Sequence, residues 1–568
     1  MNREISTDGA YVRRTPPDQD WIDPVWTVGL LLGAVILLTV NLGSLPLRDW
    51  DEGIVAQVAR EMVRSPFDSL TWLYPKEIGG NPYFNKPPLI HWLVALAYRA
   101  GGISEWTSRL PGALLTALSV PVVYGIGREV FFQRSAAVFA ALVYLTTLPV
   151  IRNGRLAMLD GAVLCFLVVM VWCVLRSRRD LRWGLGVGIS FGLICLTKGI
   201  LGFLLGAIAL GFLAWDTPRL LASGYLWGGF LLGCVPVASW YGAQIQHYGQ
   251  TFIDAHLLNQ SLKRISDKVS NNQGPTWFYG LEILKNGVPW VLFLPSGFRY
   301  AWENRNLGWA KLVLIWSGLY FGVISVMQTK LPWYVLPIYP ALALVVGAQL
   351  NRMWIPLTAA LRQYRRIAHA GVWATWFGVL AIAAWGLCAF YTFSSPFQSD
   401  VQLIFATLAL TLTVTTILIL RHDTQFIACL IWGMYLTLLT FVMSNNWVWE
   451  LEEAYPVKPV AAIVNQFTPR KQIIYTSYPY NRPSLNFYSD RRVFPISETE
   501  IKERWREDVQ PYFLLESTWL EKLPPRERQV LAAQGKWILV VRRTSRFFAP
   551  KIIALHPQKS DFEKFDLD

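Results

Sequence analysis

The sequence of 568 residues predicts an α-helical polytopic membrane protein that ends in a small soluble α/β domain. Three observations predict it. Hydrophobic residues make up 53% of the chain and charged residues only 16%, against about 25% charged in soluble domains. The apolar residues fall in long runs separated by short basic loops, and the two-residue alternation of an outer-membrane barrel is absent. Aromatic residues are abundant, with 27 Trp, 23 Tyr and 30 Phe, and such rings suit the two bilayer interfaces. The net charge of +14 would suggest nucleic acid in a soluble protein. Here the excess lies between apolar runs, so membrane orientation explains it, and the expected partners are membrane lipids with no nucleic acid.

The elements follow in order. A polar tail, 1–23, precedes the first apolar run and argues against a cleavable signal. Apolar runs then fall near 24–45, 88–101, 109–127, 134–151, 156–175, 182–197, 199–214, 223–242, 286–300, 308–327, 333–350, 371–393, 401–420 and 424–443. A span needs roughly 17–25 residues. The 88–101 run is the shortest and holds His91 and Arg99, so it reads as an interfacial helix, leaving about thirteen spans. Charge supports this. With the tail cytoplasmic, the inner loops hold Arg128 and Arg134, then Arg176, Arg178, Arg179 and Arg182, then Arg219, then Arg299, Arg305 and Lys311, then Arg352, Arg362, Arg365 and Arg366, and last Arg421. Counting 88–101 as a span would reverse every later loop.

The membrane body is therefore 24–444, with outer loops 46–108 and 243–285, and 445–568 forms an extracytoplasmic domain. Short β-type runs at Gln472–Tyr475, Tyr512–Leu515 and Trp537–Val541 alternate there with helical stretches. The expected location is the plasma (inner) membrane, with the N-terminus cytoplasmic. The six cysteines all lie in apolar runs without metal spacing and read as core residues. No internal repeat is evident.

Lys86, Arg152, Arg155, Lys198, Arg264 and Lys330 break the positive-inside pattern at the outer face. Each alone can be an interfacial residue that snorkels to headgroups. Six from separate loops suggest an anion site of the lipid-phosphate kind. Acids occur in the same places. Asp49, Asp51 and Glu52 follow the first run directly and precede a helical pattern. Asp49 and Glu52 have capping-box spacing, which gives both a structural role. Asp51 lies in the first turn, where the helix dipole favours an ionised carboxylate. It can be a simple first-turn acid, or it can act as a base or orient a nucleophile. Asp160 stands just inside an apolar run, at a cost of about 2.5–3.5 kcal/mol unless paired. It is either functional or a loop-fixing partner of Arg152 or Arg155.

These residues carry a resemblance. Trp50 to Met62, WDEGIVAQVAREM, resembles the first-loop motif of the aminoarabinose transferase and protein O-mannosyltransferase superfamily, membrane glycosyltransferases of the GT-C type. Phe84-Asn85-Lys86-Pro87-Pro88-Leu89 resembles its F-E-K-P-P-L motif, and Gly154 to Asp160 resembles its second-loop acid motif. Leu196-Thr197-Lys198-Gly199 and Lys330 to Pro340 are similar to two further signatures, all in order along the chain.

The resemblance implies a GT-C fold with two interfacial helices in the first outer loop. It also implies transfer of a sugar from a polyprenyl-phosphate donor, such as undecaprenyl phosphate, to a glycolipid or protein acceptor at the outer face. Lipid A modification and protein O-mannosylation are the two family options. Such transfer passes through an oxocarbenium-like state, and the leaving lipid phosphate needs cations more than a general acid. Lys86, Arg155, Lys198, Arg264 and Lys330 are the phosphate candidates, with Tyr334 as a hydrogen-bond donor. Asp51 is expected to orient or deprotonate the acceptor with Asp160 as its catalytic partner, and Asp49 and Glu52 support them. The reading requires the two acids and the cations to share one cavity open to the lipid.

In the aminoarabinose branch the acid of F-E-K-P-P-L resembles part of a metal site. Asn85 stands there, and an amide is a poorer ligand for a divalent cation. Gln273 to Trp277 also replaces a histidine-led segment of the family. His256 in the second outer loop is a candidate ligand, yet a divalent metal is disfavoured as a cofactor. Two other membrane readings compete. A flippase or transporter would show repeats and acids at mid-membrane depth, and neither is evident. A polysaccharide ligase or polymerase would use the same class of donor and differ only in acceptor.

Overall fold

The computed structural model describes residues 21–49, 51–66, 69–263, 274–354, 367, 369–394, 397–448, 456–470 and 472–543. These divide into two compact units, one within 1–45, 58–76 and 82–449, the other within 46–57, 77–81 and 450–568.

The first unit is a helical bundle. Its opening helices are α1 (Ile22–Thr39), α2 (Asp51–Arg64, begun in the second unit), α3 (Leu89–Gly101), α4 (Glu105–Val130), α5 (Arg134–Leu145), α6 (Leu148–Arg155), α7 (Asp160–Arg176), α8 (Gly184–Lys198), α9 (Leu201–Asp216) and α10 (Gly224–Tyr248). Helices 278–286, 294–303, 308–326, 339–354, 370–393, 399–420 and 426–443 complete it. Among the described residues eight helical segments are long and apolar enough to cross a membrane, or nine if α5 and α6, bent by 54°, count as one. The chain is thus a multi-pass helical membrane protein.

Local chemistry sets the boundaries that matter for function. A reciprocal capping box starts α4, with the Thr107 N–H donating to Ser104 Oγ and the Ser104 N–H to Thr107 Oγ1. Gly199, at φ +60°, ends α8 directly after Lys198. Helix α3 is amphipathic, burying Ile90, His91, Val94, Ala95 and Tyr98. Small residues then let helices approach. A Cβ on Gly188 would strike Gly229, and one on Gly192 would strike Gly233, so two small-xxx-small stripes lock α8 to α10. All six cysteines are free thiols.

The second unit holds a five-stranded sheet. Its strands are β1 (Ile473–Thr476), β2 (Arg492–Pro495), β3 (Tyr512–Glu516), β4 (Arg528–Gln534) and β5 (Trp537–Arg542), in the order β2-β1-β3-β5-β4. β1 runs parallel to β2 and β3, while β3–β5 and β5–β4 are antiparallel. Period-two alternation sends Tyr512, Leu514, Leu539 and Val541 to one core with helix 457–467. Phe513, Leu515, Ile538 and Val540 face the other core with Ile501 and Trp505. The three runs expected from sequence are β1, β3 and β5. The missed strands, β2 and β4, are the polar sheet edges. The unit also takes in two short pieces from between α1 and α3, 46–57 and 77–81.

Candidate active site

Asp160 is the first residue of α7 and is only 4% exposed. Close packing fixes its turn: a Cβ on Gly161 or Gly154 would collide with Thr116 of α4. Its partner is Lys198, whose Nζ lies 2.6 Å from Asp160 Oδ1, and not Arg152 or Arg155, which are nearer in sequence. The Lys198 ammonium also stands 5.4 Å from the centre of the Tyr334 ring, close enough for a cation–π contact. Tyr334 belongs to the 3-10 segment Pro332–Ile338, which the 308–326 helix holds through Tyr320 Oη donating to Tyr334 O (2.8 Å) and Trp316 Nε1 to Pro337 O (2.8 Å). The structure therefore brings Asp160, Lys198 and Tyr334 together from three separate motifs. An ammonium has three N–H donors and Asp160 takes one, so this group can also hold an anion.

Lys330 serves differently. Its Nζ donates to Ile324 O (2.9 Å) and Ser325 O (2.7 Å) and stands 5.2 Å from the Tyr279 ring centre. It caps the last turn of the 308–326 helix, where the dipole favours a cation. Burial pushes its ammonium below the usual lysine range.

Lys86 follows Phe84 in a loop that three side chains pin. Trp92 Nε1 donates to Trp72 O (2.7 Å), and Gln244 Nε2 (2.7 Å) and Trp240 Nε1 (3.2 Å) donate to Leu73 O. His256 completes the pin. Its Nδ1 lies 2.6 Å from Phe84 O and its Nε2 2.9 Å from Tyr241 Oη, while its ring stacks on Phe252 at 5.1 Å. Burial, with Lys86 adding repulsion, lowers its pKa to about 4. The ring is therefore neutral at pH 7. Both of its nitrogens have protein partners, Asn85 is an amide, and no group of three or more metal-ligating side chains occurs among the described residues. His91 is fully buried edge-on to Tyr83, as its packing role requires.

Arg155, a phosphate candidate by sequence, has other work. It is fully buried, and its Nη1 and Nη2 donate to Leu37 O and Val40 O at 2.7 Å. It lies 4.4 Å from the centre of the Trp447 ring, with Arg109 at 4.8 Å from the same ring. Arg109 donates to Leu42 O and Leu45 O. Two guanidiniums thus bind carbonyls at and just beyond the end of α1. Arg264 lies outside the described residues.

Asp51 belongs to the second unit, where it opens α2. Its Oδ2 lies 3.5 Å from Arg48 Nη2, and its side chain is 27% exposed. Glu52 is buried and accepts the Arg48 N–H at 2.9 Å. Asp49 does not cap the helix as its spacing suggests. Its carboxylate takes the stronger charge-assisted bond of Arg482 Nε (2.6 Å) and the Ser484 N–H and hydroxyl. Sequence reasoning missed Tyr241, Arg482, Ser484 and Trp447. None carries a local signal, since each acts across a large sequence separation.

Comparison with known proteins bears on the fold. Residues 85–241 match the dolichyl-phosphate-mannose-protein mannosyltransferase family. The chain is 28% identical over 340 residues to an undecaprenyl phosphate-α-4-amino-4-deoxy-L-arabinose arabinosyl transferase of Pseudomonas fluorescens, covering 57% of this chain and 59% of that protein. The crystal structure of ArnT from Cupriavidus metallidurans bound to undecaprenyl phosphate superposes with a TM-score of 0.74 at 20% identity, over 93% of this chain and 99% of that one. The chain has the GT-C fold of ArnT. The archaeal oligosaccharyltransferase of Archaeoglobus fulgidus is a more distant structural relative, with a TM-score of 0.54 at 13% identity over 89% of this chain and 71% of that one. The matched GT-C segment, 85–241, contains Lys86, Asp160, Lys198 and Tyr241. Asp51 precedes it, and Lys330 and Tyr334 follow it.

Proposed function

We propose that the protein transfers a sugar from a polyprenyl-phosphate donor to a lipid or protein acceptor at the outer face of the plasma (inner) membrane, with its N-terminus cytoplasmic and its C-terminal domain outside. The observation that carries this reading is the buried Asp160–Lys198 pair beside Tyr334, within a fold whose solved relative holds undecaprenyl phosphate. About thirteen spans belong to the same reading: the bent pair, α7, α8, α9 and the 278–303 segment join the eight long helices. Helices α2 and α3 then lie at the interface.

In this mechanism the donor phosphate meets Lys198 and Tyr334, with Lys86 and Arg264 adding charge and Lys330 shaping the neighbouring turn. Asp160 holds Lys198 aimed. The cations take up the charge that grows on the phosphate as the glycosidic bond breaks. Asp51 orients the incoming acceptor and, when that acceptor is a hydroxyl, removes its proton. A phosphate acceptor is already anionic and needs only positioning.

The test supplies membranes with radiolabelled undecaprenyl phosphate-4-amino-4-deoxy-L-arabinose or polyprenyl-phosphate mannose. Label in extracted glycolipid or protein, lost in Asp51→Asn and Lys198→Ala, is the expected result. Label that crosses sealed vesicles without a new glycosidic bond would identify a transporter and end the proposal. Full transfer by Asp51→Asn would remove the role given to that acid.

A further inference from the structure

The first turn of α2 is held from the far end of the chain. Leu47, Asp49 and Gly53 join the segment around Asp51 to Arg482 and the helix 483–489 that follows it, all within the second unit. The Leu47 N–H donates to Tyr488 Oη at 2.8 Å. Asp49 Oδ2 accepts from Arg482 Nε at 2.6 Å, and Oδ1 accepts from the Ser484 N–H at 3.0 Å and from its hydroxyl. Gly53 lies so close that a Cβ would stand 2.6 Å from Ser484 N. The Arg482 side chain is 4% exposed and that of Asp49 17%, so solvent screens this charge-assisted bond little. Asp51 is bound to the same turn, because its N–H donates to Asp49 O at 2.7 Å. Any rotation at Asp49 carries the Asp51 carboxylate with it.

These contacts lie within the second unit, which also carries Asp51. Their geometry, a clasp on the turn, acts on the acid assigned to the acceptor. A catalytic carboxylate displaced by about 1 Å can lose roughly 100-fold in rate, and a side chain on a helix end is held only as well as its supports hold it.

We propose that Arg482 and Ser484 are positioning residues for Asp51, acting through Asp49, so that the C-terminal domain is part of the transfer machinery. The proposal rests on the reading of Asp51 as the acceptor-activating acid.

The test uses the full-length protein with undecaprenyl phosphate-4-amino-4-deoxy-L-arabinose as donor, and hydrogen exchange across residues 51–57 as a readout independent of turnover. Arg482→Gln is expected to lower kcat by roughly 10–100-fold while donor KM stays within about twofold. Arg482→Lys, which keeps the charge, should retain part of the rate, and Ser484→Ala should lose less than Arg482→Gln. Asp49→Asn combined with Arg482→Gln should lose no more than either alone, because they break one contact. Exchange at 51–57 should accelerate in every clasp variant. Unchanged exchange in Arg482→Gln, or a loss confined to KM, would overturn the proposal. Full transfer by Asp51→Asn would instead remove the reading of Asp51 and the catalytic half of the proposal with it, while faster exchange in Arg482→Gln would still uphold the clasp itself.

Discussion

The Asp160–Lys198 pair makes a quantitative prediction. Its atoms are 2.6 Å apart, and the side chains are only 5% and 12% exposed. Asp160→Asn would leave the ammonium buried without a counter-charge. Breaking such a pair costs about 3–5 kcal/mol, and the residual exposure of Lys198 points to the lower end, about 3 kcal/mol. Removing both charges in Asp160→Asn/Lys198→Met leaves no orphaned ion, so the double variant should recover to within about 1–2 kcal/mol of the parent. Unfolding in mixed micelles, followed by tryptophan fluorescence, measures the parent, Asp160→Asn, Lys198→Met and the double variant as a four-member cycle. Transfer activity separates stability from function: the double variant should be folded yet inactive, having lost the cation that meets the donor phosphate. If Asp160→Asn alone is as stable as the double variant, the two charges are not coupled. The geometric basis of the site then fails.

Other expectations follow from the same contacts. Burial holds His91 and His256 at pKa values of about 4. The unfolded chain, near 6.5, therefore binds protons first as pH falls, and stability that is complete above 6.5 should decline between pH 6.5 and 4 by about 3 kcal/mol per histidine. Melting temperatures across that range check this, and His256→Gln should flatten the curve; a flat parent curve would contradict it. Trp447→Leu strips the ring between Arg109 and Arg155 and should cost about 2–4 kcal/mol, seen as a lower midpoint in the same unfolding assay. Gly161→Ala should cost about 1–3 kcal/mol through its collision with Thr116. Thr116→Ala should restore the folded yield, measured by size-exclusion chromatography.

Much of the architecture was legible because hydrophobic periodicity is local. The apolar runs marked the helices, and buried strands such as β3 announced themselves through consecutive large side chains. β2 and β4 escaped because edge strands look polar. At the site, the costs of isolated charge made Asp160 and Lys198 visible as anomalies, but their pairing spans residues 160 and 198, and nothing local distinguishes Lys198 from Arg155 as the partner. The carbonyl partners of Arg155 were not legible, because carbonyls at a helix end attract a guanidinium and every residue supplies one. Asp49 misled, since a capping carboxylate and an arginine partner have the same local spacing. The partners of His256, Phe84 O and Tyr241 Oη, lie far from it in sequence and left no local signal.

The stack of Arg109, Trp447 and Arg155 bears on biogenesis. Arg109 and Arg155 emerge early from the ribosome, but the indole between them is encoded near the end of the bundle. At about 5–20 residues per second, tens of seconds separate their synthesis. Asn41 waits as well, since its amide donates to Val442 O and Met443 O. The exit of α1 therefore stays incompletely packed until the last helix has been delivered, and a nascent chain halted before Trp447 would leave both arginines bound to their carbonyls but without the indole.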